Sequence, residues 1–189
     1  LNADVWDGSV ASSFGGGSGT ESNPYKISSA EQFAYLTTAT TSGKYFKQTT
    51  DIDLNCSESQ LWTIISSFAG IYDGCNFTIA NAYITSSTTY IGIFGNMSGT
   101  ISNLVIDGVT IVATSGNRIG GLVGTCSGTI ENCKIKNVSI SGNSAISSGS
   151  YIGGLVGYGS SILNCKSESI NIDITTNYFC YAGGLIGYI

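Results

Sequence analysis

From residue 60 to residue 189 apolar and polar side chains alternate in short runs, and no stretch shows a helical period. Ile130, Cys133, Ile135, Val138 and Ile140 form one such run, broken at Asn132 and Asn137, where the backbone must turn. Successive strand side chains point to opposite faces, so this pattern predicts short, half-buried strands joined by small polar turns. A βαβ arrangement is excluded because its crossover helices have no counterpart. Helix is expected once, over 28–43: Ser28 or Ser29 with Glu31 or Gln32 reads as a capping box. Phe33, Leu36 and Ala39 or Thr40 follow at helical spacing up to a stop at Gly43.

The strand pattern repeats. Five segments share a Gly-[Ile/Leu]-apolar-[Gly/Asp] core: FAGIYD at 68–73, YIGIFG at 90–95, IGGLVG at 119–124, IGGLVG at 152–157 and AGGLIG at 182–187. Their offsets are 22, 29, 33 and 30 residues. A second block follows each of the first four: TIANAYI at 78–84, TISNLVI at 100–106, TIENCKI at 129–135 and SILNCKS at 161–167. A repeat of this length with about three strands is one rung of a solenoid, which hides its apolar side only by stacking on the next rung. The predicted fold is all-β, a right-handed parallel β-helix of roughly four to six rungs at the usual strand spacing of about 4.8 Å. The chain is read as a single domain, with a lead strand and loop over 1–27, the capping helix over 28–43 and stacked rungs over 44–189.

Stacking assigns roles to particular residues. Asn81, Asn103, Asn132 and Asn164 occupy the same place in the second block, which predicts an internal ladder of side-chain amides, each bond contributing about 1 kcal/mol. The alternative is a polar binding row, disfavoured because each Asn lies between inward apolar positions. Gly70, Gly92, Gly121, Gly154 and Gly184 mark a corner without room for a Cβ. They are no phosphate loop, since GxxxxGK[ST] is missing and no helix follows to hold an anion.

Composition narrows the function. Only 10% of residues are charged, against about 25% in ordinary domains, so Ser, Thr and Asn supply the surface polarity. A net charge of −5 without a basic cluster excludes nucleic acid as a partner. The apolar runs fall far short of the ~18 residues of a membrane helix, so no transmembrane segment is expected. The chain opens LNADVWDG, without Met or a signal-like segment, so any export signal is expected to lie outside it.

The ordered succession of WDGSVASSFGGGSGTESNPYKISSAEQFAYL, KYFKQTTDIDL, WTII, FAGIYDG and the IGGLVG repeats resembles bacterial exported proteins built from GLUG repeats. Their Gly-Leu-[Val/Ile]-Gly core stands here at 121–124, 154–157 and 184–187. The resemblance covers nearly the whole chain. It implies a right-handed β-helical module of large surface or secreted proteins, including adhesin-like proteins and the non-catalytic region of some IgA-cleaving metallopeptidases. The chain departs from the family at Asp73–Ile79, where DGCNFTI replaces a turn like DGNGHTI, and in its richness in cysteine.

Of the six cysteines, Cys133 and Cys165 occupy equivalent inward positions on consecutive rungs, next to Leu104. Cα atoms about 4.8 Å apart permit a disulfide without demanding one, and stacked Cys also serves as a small hydrophobe. Cys56 with Cys75 is a second conceivable pair. No metal and no cofactor are expected: there is no His, no CxxC and no cluster with ligand spacing. Asp51 and Asp53 share one strand face and could form a calcium or acid–base pair, though Asp-x-Asp beside Ile52 and Leu54 is also what a half-exposed strand looks like. Without His, Ser and Cys nucleophiles lack their usual base and HExxH is impossible.

The expectation is therefore a non-enzymatic, extracellular or cell-surface module, adhesin-like or a spacer, with a host-surface protein or glycan as partner. A carbohydrate-active lyase or hydrolase is the alternative. The candidate binding residues precede and follow the glycine block: Arg118, Tyr151 and Tyr181 before it, Tyr158 and Tyr188 after it. If they face outward they form short columns of rings with polar tips, suited to sugar or protein contacts. Ice binding is disfavoured because Thr88-Thr89 and Thr175-Thr176 do not recur on every rung. The four Asn-x-Ser/Thr sequons, at Asn55, Asn76, Asn96 and Asn137, match the number chance gives. The chain stops at AGGLIGYI as a fifth rung begins, and such an open edge predicts continuation in a larger surface protein.

Overall fold

The computed structural model describes residues 6–143, 146–176 and 178–189; the first five positions of the lead segment expected over 1–27 lie outside the described residues. Among the described residues the strands form three sheets, and every pairing between them is parallel. One sheet has five strands, Ile52–Asp53, Thr78–Ser86, Val105–Ala113, Lys134–Gly142 and Lys166–Ile174. A four-stranded sheet joins Tyr90–Ile91, Gly116–Gly120, Ile146–Gly153 and Cys180–Gly183. A nine-stranded sheet holds Val123–Glu131, Val156–Leu163 and Ile186–Tyr188 with the strands before them. Each turn of chain adds one level to each sheet, which makes the protein a parallel β-solenoid of about five turns.

Alternation becomes apolar columns through the register. Ile52, Ile79, Ile106 and Ile135 stack in the five-stranded sheet, beside Ala82, Val109, Val138 and Ile170 and beside Ile84, Ile111, Ile140 and Ile172. Ile91, Ile119 and Ile152 stack in the four-stranded sheet, and all three are fully buried. Burying each such side chain is worth about 1.5–3 kcal/mol, and β-branched Ile and Val suit the pleated surface. One hydrophobic cluster runs from Trp6 to Val156.

The helix is shorter than its pattern predicts. It spans Ala30–Ala34, with a 3-10 turn at Tyr35–Thr37, and stops well before Gly43. The Ser29 hydroxyl accepts from the Gln32 backbone N–H, and the Gln32 side-chain Oε1 accepts from the Ser28 N–H at 2.9 Å, so the predicted cap forms. Beyond it the Thr37 and Thr38 hydroxyls donate to the Ala34 and Tyr35 carbonyls, and this competition from a β-branched Thr run ends the helix. Phe33 stacks on Trp62 and meets Tyr72 and Phe94 edge-on, which closes the N-terminal mouth of the solenoid with aromatic rings. Inside, the buried Tyr72 hydroxyl donates to Gln48, whose amide donates to the Thr50 and Thr78 carbonyls. That burial pushes the Tyr72 phenol far above its ordinary pKa.

The asparagine expectation needs correction. Asn103, Asn132 and Asn164 do stack: Asn164 Nδ2 donates to Asn132 Oδ1 at 2.7 Å and Asn132 Nδ2 to Asn103 Oδ1 at 3.4 Å. The ladder is not internal, because all three take left-handed φ of 51–52° at a corner, where Asn132 and Asn164 are exposed and Asn103 is half-buried. Asn81 belongs to a different column. That column continues through Gly108, Asn137 and Ser169, all at positive φ within the five-stranded sheet, and the Asn81 amide donates to Asp53. Each turn thus contains two left-handed bends, and Asn favours both, so TIANAYI and TISNLVI read alike though they lie at different corners.

The first glycine segment is displaced for a related reason. Ile71 pairs with Thr100, and the Gly70 carbonyl accepts from the Thr100 N–H as Gly99 does from Thr129. Gly70 therefore shares a corner with Gly99 and Gly128, whereas Phe94, in the YIGIFG segment, pairs with Ile65. The apparent offset of 22 becomes 29 residues, from Ile65 to Phe94 and again from Phe94 to Val123.

Candidate binding face

Glycine brings the five predicted binding residues together. In Tyr-Ile-Gly-Gly-Leu-Val-Gly-Tyr at 151–158 the chain doubles back between the four-stranded and nine-stranded sheets. The two limbs approach so closely that a Cβ at Gly153 would collide with the Val156 carbonyl, and one at Gly157 with the Ile119 backbone. The residues just outside the pinch then meet across it.

Two columns result. Tyr90, Arg118, Tyr151 and Tyr181 pair in register on one limb. Asn96, Thr125, Tyr158 and Tyr188 pair on the other. Tyr151 and Tyr181 stack with centroids 5.4 Å apart at 24°, and Tyr158 and Tyr188 stack 5.7 Å apart at 6°. Across the pinch Tyr151 lies 5.4 Å from Tyr158 and 4.8 Å from Tyr188, and Tyr181 lies 5.8 Å from Tyr188. Contacts of this kind are worth about 0.5–1.5 kcal/mol per pair beyond burial, yet Tyr181 and Tyr188 remain 51% and 45% exposed. They present an open aromatic surface.

Arg118 sits one level below the rings. Its guanidinium carbon lies 4.5 Å from the Tyr158 ring centroid and 5.4 Å from that of Tyr90, and one terminal nitrogen donates to Thr125 Oγ1 at 3.1 Å. Its Nε–H is buried without a hydrogen-bond partner. Tyr90 and Thr125 belong to the face too, beyond the five residues expected from the sequence; the signal was present, since Tyr90 precedes IGIFG and Thr125 follows GLVG as their partners do.

Below Arg118 the face opens into a groove of about 530 Å³ beside Tyr90, with Trp62 and Ile64 in its floor and Thr63, Ser66, Thr85 and Thr89 along its walls. None of its lining residues is charged. A cavity of about 360 Å³ near Phe14, Tyr35 and Lys44 lies apart from these columns.

The other candidates lie apart from these columns and are held by neighbouring groups. Asp51 accepts from the Thr78 backbone N–H at 2.7 Å, and Asp53 accepts from the Asn55 N–H and the Asn81 amide, each at 2.8 Å. The Lys136 ammonium and Asn137 amide hold the Asp107 carboxyl below its ordinary pKa. At Asp73 burial opposes ionisation, but hydrogen bonds from Asn103 and the Cys75 N–H outweigh it and lower the pKa. The six cysteines are free thiols, Cys56 and Cys75 included. Cys133 and Cys165 stack as expected: the interaction between the two thiols, with burial, raises the pKa of Cys133, and the same interaction lowers that of Cys165. Each Sγ donates to a backbone carbonyl, Cys133 to that of Glu131 and Cys165 to that of Leu163. Among the described residues no group of three His, Cys, Asp or Glu could hold a metal ion, and no helix is long and apolar enough to cross a membrane.

No family model matches the chain, so the GLUG resemblance rests on the motif residues themselves. No curated protein matches it. Among solved structures it is similar to a putative immunoglobulin A1 protease from Bacteroides ovatus, with 14% identity, 87% of each chain covered and a TM-score of 0.49. No activity is carried over from that likeness.

Proposed function

We propose that this chain is a non-catalytic module of a secreted or cell-surface protein, adhesin-like, that binds glycan through its tyrosine face. The observation that carries the reading is the four-ring stack of Tyr151, Tyr158, Tyr181 and Tyr188, packed ring to ring while its outer members stay about half exposed. A sugar ring has an apolar C–H face and a rim of hydroxyls. A preformed row of phenol rings meets the first by stacking and the second through its hydroxyl tips, with little side-chain entropy left to lose.

The GLUG resemblance supports an exported setting within a larger surface protein. Asp51 and Asp53 are each engaged by neighbouring backbone or amide groups, which supports a binding role over the lyase or hydrolase alternative. The test is affinity electrophoresis and calorimetry against a polysaccharide panel, with Tyr151→Ala/Tyr181→Ala beside the wild type. The double variant is expected to keep the fold by circular dichroism and to lose at least tenfold in affinity. Unchanged affinity with an intact fold contradicts the proposal.

A further inference from the structure

We infer that the glycan read by this face is acidic, a sugar chain bearing carboxylate or sulfate groups, with Arg118 as the residue that reads the charge. This rests on the glycan-binding reading and narrows it. Arg118 is the chain's single arginine, and it stands in the ring columns themselves. Among the described residues the ion pairs are Lys134–Glu168 and Lys136–Asp107, so the guanidinium lacks a protein counter-ion.

Tyr90, Tyr158 and Thr125 hold the group in place through two ring contacts and a hydrogen bond. The planar fork of a guanidinium matches a carboxylate or sulfate in two hydrogen bonds, and the aromatic faces beside it fix its position. The chain's net charge of −5 does not oppose this. Asp53, Asp73 and Asp107 are bonded to the amides of Asn81, Asn103 and Asn137, and Asp107 also pairs with Lys136.

The groove next to Tyr90 adds a neutral subsite. Its uncharged walls of Thr and Ser hydroxyls, over Trp62 and Ile64, suit the neutral rim and face of an adjoining sugar unit. An extended chain laid along the columns would then meet rings at Tyr181 and Tyr151, a cation at Arg118 and hydroxyls below Tyr90.

The test measures binding of a polyuronate, a sialylated oligosaccharide and a sulfated glycosaminoglycan, each beside its neutral counterpart (methyl-esterified, desialylated or desulfated). At least one acidic member is expected to bind tenfold or more tightly than its counterpart, with affinity falling as NaCl rises from 20 to 200 mM. Arg118→Gln should erase that preference and its salt dependence, and Arg118→Lys should restore part of it. The member that binds identifies the anion. Equal binding of acidic and neutral forms, a preference that survives Arg118→Gln, or binding of no acidic member overturns the inference. If neutral glycans bind and Tyr151→Ala/Tyr181→Ala abolishes that binding, the tyrosine face stands while the acidic assignment falls. Salt dependence in the wild type decides between these outcomes even if the Arg118 variants fold poorly.

Discussion

At the scale of single residues, the corners depend on a backbone conformation that few side chains adopt cheaply. Asn132 sits at φ 52° and both donates and accepts in the amide ladder. Asn132→Ala forfeits those bonds, at about 1 kcal/mol each, and incurs a left-handed backbone penalty of about 1–2 kcal/mol. Asn132→Gly loses the bonds and keeps the conformation. Chemical denaturation should therefore rank the wild type above Asn132→Gly and the glycine above the alanine variant; equal stability of the two variants would show that the corner carries no strain. The ring cluster was legible as columns because Arg118, Tyr151 and Tyr181 share one offset from the glycine block. Contact between the columns was not legible, since it depends on how tightly the two limbs approach.

At the scale of the element, the pinched Gly-Gly-Leu-[Val/Ile]-Gly turn is the unit that builds the tyrosine face. Gly153 has no room for a Cβ beside the Val156 carbonyl, whereas Gly184 has open space around it. Gly153→Ala should force the limbs apart, destabilise the protein by about 2 kcal/mol or more and weaken glycan binding. Gly184→Ala should leave stability and binding near wild type. Parallel melting curves decide the matter, and equal effects of the two substitutions would remove the pinch from the account. The sequence pattern misleads at elements too. It places Asn81 and Gly70 at the wrong corners because each turn bends more than once, and small residues mark every bend in the same local words. It extends the helix to 43 because apolar spacing continues past the point where Thr hydroxyls take over the carbonyls.

At the scale of the whole molecule, the solenoid was legible for a simple reason: a fold stacked in parallel levels writes its register into the chain as a repeat, here near 30 residues. Apolar columns then form wherever the same side chain returns, and an exterior column forms by the same rule when the returning residue is tyrosine. The groove beside Tyr90 was invisible because it is made by a level that lacks bulk, where Thr and Ser stand in the walls.

The most direct test labels the tyrosine rings with carbon-13 and follows all eleven by NMR during titration with a bound oligosaccharide. The signals of Tyr151, Tyr158, Tyr181 and Tyr188 should move together on one saturable curve, while Tyr35 and the buried Tyr72 stay still. Shifts at other tyrosines with these four unmoved would contradict the claim that the stacked rings are the binding face.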